Sequence, residues 1–291
     1  MILFDIIRRY KWDLGIALES EGHHFDSPVW NLHIIKAPRD RWYADPFILD
    51  VSDDYIFVLV EELEHRVNKG RITKLTIDKR TFKVADRKVI LELPTHLSFP
   101  AVLRYADNVF IYPENSESGN SVLYKYDTVT DEMVPISLLS KDPLTDAVMF
   151  KYADTNYLIS TRVPEQNGRT VCIYQSADII SEYTEVQQIK LNDNTARSAG
   201  DVFIADGKII RPAQNCNGGY GVGLVFQELI RKADGCFFLE EIIRHNPPAG
   251  YIGMHTYNTY KGYAVVDLHA RRYPSIYKAL KMIKRLFDSK F

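Results

Sequence analysis

One short pattern returns five times along the chain, and that repetition limits the fold more than any other feature. The first copy is Trp42-Tyr43-Ala44-Asp45-Pro46-Phe47-Ile48-Leu49, a polar turn at Asp50 to Asp54, and an apolar run from Tyr55 to Val60 ending in Glu61 and Glu62. The second is Ser98-Phe99-Pro100-Ala101-Val102-Leu103, the turn Ala106-Asp107-Asn108, the run Val109 to Tyr112, then Glu114. The third opens at Asp146-Ala147-Val148-Met149-Phe150 and ends at Arg162; the fourth runs from Gly200-Asp201-Val202 to Arg211 and Gln214. The fifth passes from Met254-His255-Thr256-Tyr257-Asn258 through Ala264-Val265-Val266 to Asp267. A period of roughly 50 residues made of short strands is that of propeller blades. The chain therefore reads as all-β: a five-bladed β-propeller over residues 1–273, with blades starting near 42, 97, 145, 197 and 253.

The segments outside the repeat are read separately. Residues 1–40 supply N-terminal strands that close the ring, with Trp12 to Ala17 and Val29 to Ile35 as strand-like runs and Trp30 to Ile35 as the expected closing strand. Adjacent residues on a strand face opposite ways, so His23-His24 reads as a solvated loop pair rather than a metal site. The stretch Asn217-Gly218-Gly219-Tyr220-Gly221-Val222-Gly223 lacks the Lys-Ser/Thr ending and following helix of a phosphate loop; it reads as a hairpin turn or bulge. From Pro274 to Phe291, Ile276, Leu280, Ile283 and Phe287 recur at helical spacing among Lys278, Lys281, Lys284 and Arg285. This predicts a short basic amphipathic helix over 274–291, which either packs on the propeller flank or makes peripheral contact with an anionic membrane surface.

Composition enters mainly to exclude. A hydrophobic content of 46% and a charged content of 25% describe an ordinary globular chain, and a formal net charge of -2 argues against nucleic acid as a partner. The odd set Cys172, Cys216 and Cys236 forms no metal-type pair and implies no disulfide framework; buried free thiols are the expectation. No apolar run approaches a membrane span, and Met1 to Arg9 is no secretory signal, so the expected location is cytoplasmic, peripheral to the inner membrane face if the helix docks there.

In a propeller the innermost strand of every blade borders the axis, so the five signatures converge on one cavity. The residues brought there are Asp45, Ser98-Phe99, Asp146, Arg197 to Asp201 and His255, with Glu61 or Glu62, Glu114, Arg162, Arg211, Gln214 and Asp267 at strand ends. Packing alone would favour apolar or small residues there. Charged and amide groups around an axis must pair with each other or meet a polar ligand. Arg197 and Arg211 offer guanidinium groups to a carboxylate or phosphate, or pair with Asp146, Asp201 or Glu114.

The Ala44-Asp45-Pro46-Phe47 motif, the Asp146-Ala147 start and His255 resemble the five-bladed propeller glycosidases of the arabinanase/β-xylosidase and invertase/levansucrase superfamily. Trp42 to Phe47, Ser98-Phe99-Pro100, Ala196-Arg197-Ser198-Ala199-Gly200, Arg211-Pro212-Ala213-Gln214 and His255-Thr256-Tyr257-Asn258 are similar to the N-terminal propeller of plant glucosamine inositolphosphorylceramide transferases and of related bacterial surface-polysaccharide proteins. The resemblance spans about residues 40–270. It implies Asp45 as base or nucleophile and Asp146 as the orienting carboxylate. The third-blade Glu that serves as proton donor in the glycosidases has no match here; Glu114 first and Glu61 second are the candidates, because both end an innermost strand. Trp42, His96, Arg197, Arg211, Gln214, His255 and Asn258 are the expected substrate-binding set. No cofactor is expected, although an axial calcium or other ion near His255 would suit the resemblance. The expected function is glycosyl transfer or glycoside cleavage on a sugar or glycoconjugate, in cell-surface glycan biosynthesis. The alternative is a non-catalytic glycan-binding or scaffold propeller serving a membrane-associated glycosyltransferase.

Overall fold

The structure, a computed structural model, describes residues 10–27 and 30–272. The helix expected over 274–291 and the segment Met1 to Arg9 lie outside those residues. The described chain forms five four-stranded antiparallel sheets. Blade one comprises Arg41–Val51, Tyr55–Glu64, Gly70–Asp78 and Lys83–Leu91, in order from the inside outward. Blade two comprises Ser98–Tyr105, Asn108–Glu114, Ser121–Tyr126 and Met133–Ser140; blade three comprises Leu144–Tyr152, Thr155–Arg162, Thr170–Ser176 and Thr184–Lys190. Blade four comprises Phe203–Ala205, Lys208–Asn215, Gly223–Arg231 and Phe237–His245. The fold is the five-bladed propeller that the repeat predicts.

Blade five is assembled from both ends of the described chain: Tyr257–Tyr260, Tyr263–Arg271, then Tyr10–Leu18 and finally His33–Ile35. Tyr10–Leu18 pairs with Tyr263–Arg271 at nine successive positions. The closing strand is therefore Tyr10–Leu18, not Trp30 to Ile35, of which only His33–Ile35 is strand, at the outer edge. The reason is burial. Trp12 to Ala17 are all buried and suit a strand paired on both edges, whereas Trp30 belongs to an aromatic cluster with His23, His245 and Tyr257. His23 is correspondingly buried rather than solvated, and burial lowers its pKa to about 4. Among the thiols, Cys172 and Cys216 are buried as expected, but Cys236 is exposed.

The core is not a single ball but a set of layers between neighbouring blades. Phe47 of blade one meets Phe99 of blade two edge-on, with ring centroids 4.8 Å apart, and that layer continues through Ile111, Val148 and Ile159. Leu14, Ile48, Val58 and Val265 fill the seam between blades five and one; Phe226, Tyr257 and Leu268 fill that between four and five. Each such buried side chain contributes about 1.5–3 kcal/mol by leaving water.

Candidate functional site

The innermost strands of blades one, two and three each carry a bulge at the same repeat position, between Ala44 and Phe47, Ser98 and Ala101, and Thr145 and Val148. Asp45, Phe99 and Asp146 sit in these bulges with φ of 49°, 43° and 47°. Left-handed backbone is unfavourable for such residues, above all for Phe, so the surroundings must hold it in place. A carboxylate on a neighbouring blade does so each time. The Asp45 N–H donates to Asp267 Oδ2 (3.0 Å), the Phe99 N–H to Asp45 Oδ2 (3.1 Å) and the Asp146 N–H to Glu114 Oε2 (3.1 Å). In blade four the equivalent turn has Gly200 at φ 150°, where a Cβ would lie 2.0 Å from the Tyr257 carbonyl oxygen; only glycine fits.

Above the bulges lies a cavity of about 360 Å³. It is lined by Trp42, Asp45, Glu61, His96, Glu114, Arg197 and His255 from the expected set, and by Tyr10, Trp12, Tyr220 and His269, which sequence reasoning did not single out. Tyr10 and Trp12 come from the closing strand and Tyr220 from the glycine-rich turn, neither of which belongs to the repeat. Trp12 is held between two imidazoles, His255 at 4.0 Å and His269 at 4.4 Å between ring centroids, and Tyr10 covers the far side of His269 at 4.8 Å. One wall of the cavity is thus a continuous aromatic stack.

The remaining expected residues lie behind or away from that wall. Asp146 is buried beneath Arg197, which donates from Nε at 2.6 Å, and Gln214 Nε2 donates to the same carboxylate at 2.7 Å. Asn258 acts as a latch: its Nδ2 donates to the Pro46 carbonyl (2.8 Å) and its Oδ1 accepts the Asp201 N–H (2.7 Å), tying blades one, four and five. Arg211 does not reach the cavity. It lies on the opposite strand face from Gln214, donates to Gln227 Oε1 (2.6 Å), Ser198 Oγ (3.2 Å) and the Ala196 carbonyl, and burial brings its pKa down to about 9. With Arg197 engaged by Asp146 and by Glu114 at 3.4 Å, the pair does not form the anion clamp the sequence allowed.

The electrostatics sort the carboxyl groups into two kinds. Asp267 accepts the N–H groups of Asp45, His255 and Thr256 and faces His255 Nδ1 at 2.6 Å; burial opposes its ionisation, but the imidazolium and these donors hold its pKa below the ordinary value. Burial likewise disfavours the charged His255, yet Asp267 outweighs it and raises the imidazole to about 9. Asp45 and Glu114 go the other way. Burial pushes Asp45 up to about 7 despite His255, and burial together with the Asp146 charge raises Glu114 well above the usual carboxyl range despite Arg197. Glu61 pairs with His96 Nε2 at 3.3 Å, which raises the His96 pKa. Because His96 Nδ1 accepts the Gly70 N–H (3.1 Å), the neutral ring carries its proton on Nε2, facing Glu61.

Asp45, His255 and Asp267 bring ligand-type atoms within 4.8 Å of one another, the spacing of a small cation site. Many of the lone pairs there are already used: His255 Nδ1 by its proton to Asp267, Asp267 by three N–H donors, and each Asp45 oxygen by one donor, the Phe99 N–H or the Thr256 hydroxyl (2.9 Å). As it stands this donor set is arranged around a proton between His255 and Asp267.

Solved structures with this architecture include a GH43 β-1,3-galactosidase with galactodeoxynojirimycin (TM-score 0.56, 7% identity, 75% of this chain and 83% of that one) and a β-xylosidase (0.54, 11%, 73% and 80%). A family 117 glycoside hydrolase from Zobellia galactanivorans matches with TM-score 0.54 and 10% identity over 81% of this chain and 86% of that one. At such identities these show the fold alone. In sequence, the chain is 27% identical over 190 residues to glucosamine inositolphosphorylceramide transferase 1 of Oryza sativa subsp. japonica and 26% identical to that of Arabidopsis thaliana. The alignments take in 62% of this chain but 25% and 24% of those relatives, so the match spans about a quarter of their length. The family model for the N-terminal part of that transferase matches residues 34–234, which hold blades one to three and the first three strands of blade four and leave out the strands of blade five that carry Trp12 and Asp267, together with His255. The chain belongs to the family of the N-terminal domain of glucosamine inositolphosphorylceramide transferase 1.

Proposed function

We propose that the axial cavity binds the sugar portion of a glycan or glycoconjugate and that Asp45 and Glu114 perform acid–base chemistry on its glycosidic bond. One observation carries this reading: two carboxyl groups on neighbouring blades border one cavity beside an aromatic wall, and both are held toward the protonated form. Glycosidic chemistry needs one carboxylic acid to protonate the leaving oxygen and one carboxylate to activate water or an acceptor hydroxyl, or to attack the anomeric carbon. Glu114, held toward the protonated form by burial and the neighbouring Asp146 charge, serves as the acid. Asp45, titrating near neutrality, serves as the base or nucleophile, with the Phe99 N–H and Thr256 hydroxyl fixing its carboxylate. Asp146, bound by Arg197 and Gln214, orients that arginine between the blades. The names of the related transferases and glycosidases support a sugar as substrate, and the acidic lining favours a neutral or amine-bearing sugar over an anionic one.

A non-catalytic, glycan-binding propeller is the second reading. It draws on the fact that Asp45, Glu114 and Asp267 already serve as latches between blades. Turnover of aryl β-glycosides and transfer from activated sugars by wild type, Asp45→Asn and Glu114→Gln separates the two. The catalytic reading expects each variant to lose at least a hundredfold in turnover while retaining sugar affinity. Full turnover in a variant removes that carboxyl from the chemistry, and sugar binding without any wild-type turnover selects the second reading.

A further inference from the structure

Tyr220 enters the cavity from the glycine-rich connection between the second and third strands of blade four. The loop is fastened by its backbone and by Asn217. The Met254 N–H donates to the Gly221 carbonyl (2.9 Å), the Val222 N–H to the Asn215 carbonyl (3.0 Å), and the Asn217 side chain joins the Asn194 N–H (3.1 Å) to Asp193 Oδ2 (3.0 Å). At Gly221, with φ 57°, a Cβ would lie 2.8 Å from His255 Cβ, so the approach of this loop to blade five requires glycine. None of these contacts uses the Tyr220 ring. The ring can therefore be altered without releasing the loop.

The ring is nevertheless placed, edge-on to His255 at 5.1 Å between centroids and with the Arg197 guanidinium carbon 5.2 Å from its centre. Tyr220 is 44% exposed, yet burial raises its hydroxyl pKa well above the ordinary value, with Asp45, Asp146 and Glu61 adding to the shift and Arg197 opposing it. The two facts agree if the ring's outer face is open while the hydroxyl end reaches in among the carboxyl groups. That hydroxyl has no hydrogen-bond partner among the described residues, in a cavity whose Asp45 carboxylate is already engaged by donors.

We propose that Tyr220 is a specificity-determining residue of the axial site: its O–H donates to an oxygen of the bound sugar, and its ring limits the cavity to one terminal sugar unit. The inference rests on the sugar-binding reading above. The apolar face of a phenol suits the C–H face of a sugar while its hydroxyl supplies direction, the combination that a pocket selecting among polyols needs.

The test is calorimetric binding of glucosamine, galactose and xylose, and of their β-linked dimers, to wild type, Tyr220→Phe and Tyr220→Ala. The Phe variant should lose about five- to tenfold in affinity for the preferred monosaccharide, the effect of one hydrogen bond, and keep its preference for monomer over dimer. The Ala variant should lose affinity for the monomer and cease to discriminate against the dimer. A merely structural Tyr220 would lower both affinities together along with the thermal midpoint. If both variants match wild type, the assignment of Tyr220 fails while sugar binding stands. Tighter monomer binding by the Ala variant would make Tyr220 a plug and overturn the proposal. If wild type binds none of these sugars, both this inference and the sugar-binding reading fall. Should the Ala variant not fold, the Phe arm decides.

Discussion

Glu61 and Glu62 are neighbours in sequence and face opposite sides of the same strand. Glu61 lines the axial cavity beside His96. Glu62 points into blade one, where it is fully buried and accepts hydrogen bonds from Arg41 (2.8 Å), Arg71 (2.7 Å) and Arg87. Around Glu62 the cations are in excess at hydrogen-bonding range; burial resists its ionisation, but Arg87 and Arg71 hold its pKa below the ordinary value. Around the axis the balance is reversed, with Arg197 and His255 facing Asp45, Glu61, Glu114, Asp146 and Asp267. Both regions bury carboxyl groups. The first is arranged to hold one ionised; the second keeps two of its members close to accepting a proton, which is the condition for moving one.

The largest effect that would test this contrast is on stability. Glu62→Ala leaves three guanidinium groups around a void and should cost about 3–5 kcal/mol in urea unfolding. A loss under about 1 kcal/mol would mean that Asp40, Glu64 and Glu92 absorb the arginines, and the distinction between the regions would weaken.

A smaller effect, opposite in sign between the two sites, lies in the pH dependence. The folded pKa of Glu62 is lowered, so its contribution is present above the ordinary carboxyl value and is lost as pH falls through the folded value. Asp45 has a raised folded pKa, so its contribution is present below about 4 and is lost as pH rises through about 7. Unfolding midpoints at pH 5 and pH 8 should therefore lie closer together in Asp45→Asn than in wild type, whereas Glu62→Gln should flatten the profile only on the acid side. Parallel profiles for the two variants would break the comparison. The smallest effect is expected at the exposed pair of Lys141 with Glu182: Lys141→Ala should leave stability within about 0.5 kcal/mol of wild type.

The propeller was legible because each repeat must rebuild the same strand, turn and strand, so that Asp45, Phe99 and Asp146 recur at one structural position despite differing side chains. Placement of Glu61, Glu114, Arg197 and His255 at the axis followed from the same logic. The misplacement of Arg211 came from parity: it stands three positions before Gln214, and a strand turns such a pair to opposite faces. Trp12, Tyr220, Tyr10 and His269 were not legible, because the first three come from segments without repeat partners and His269 lies beyond the last repeat position compared. Their contribution depends on which strand closes the ring and on how closely a glycine turn approaches blade five.

Closure has a consequence for the order in which the molecule is built. Asp267, which anchors both Asp45 and His255, lies on the strand that pairs with Tyr10–Leu18. Blades one to four can each form from contiguous chain, but the fifth must bring distant segments together, the slow kind of contact in folding. The cavity is then the last part of the molecule to acquire its shape, and Trp12 meets His255 only when that happens. In refolding, quenching of the Trp12 emission by the adjoining His255 imidazolium should appear after most of the β-sheet signal, so the ligand site doubles as a clock for completion of the ring.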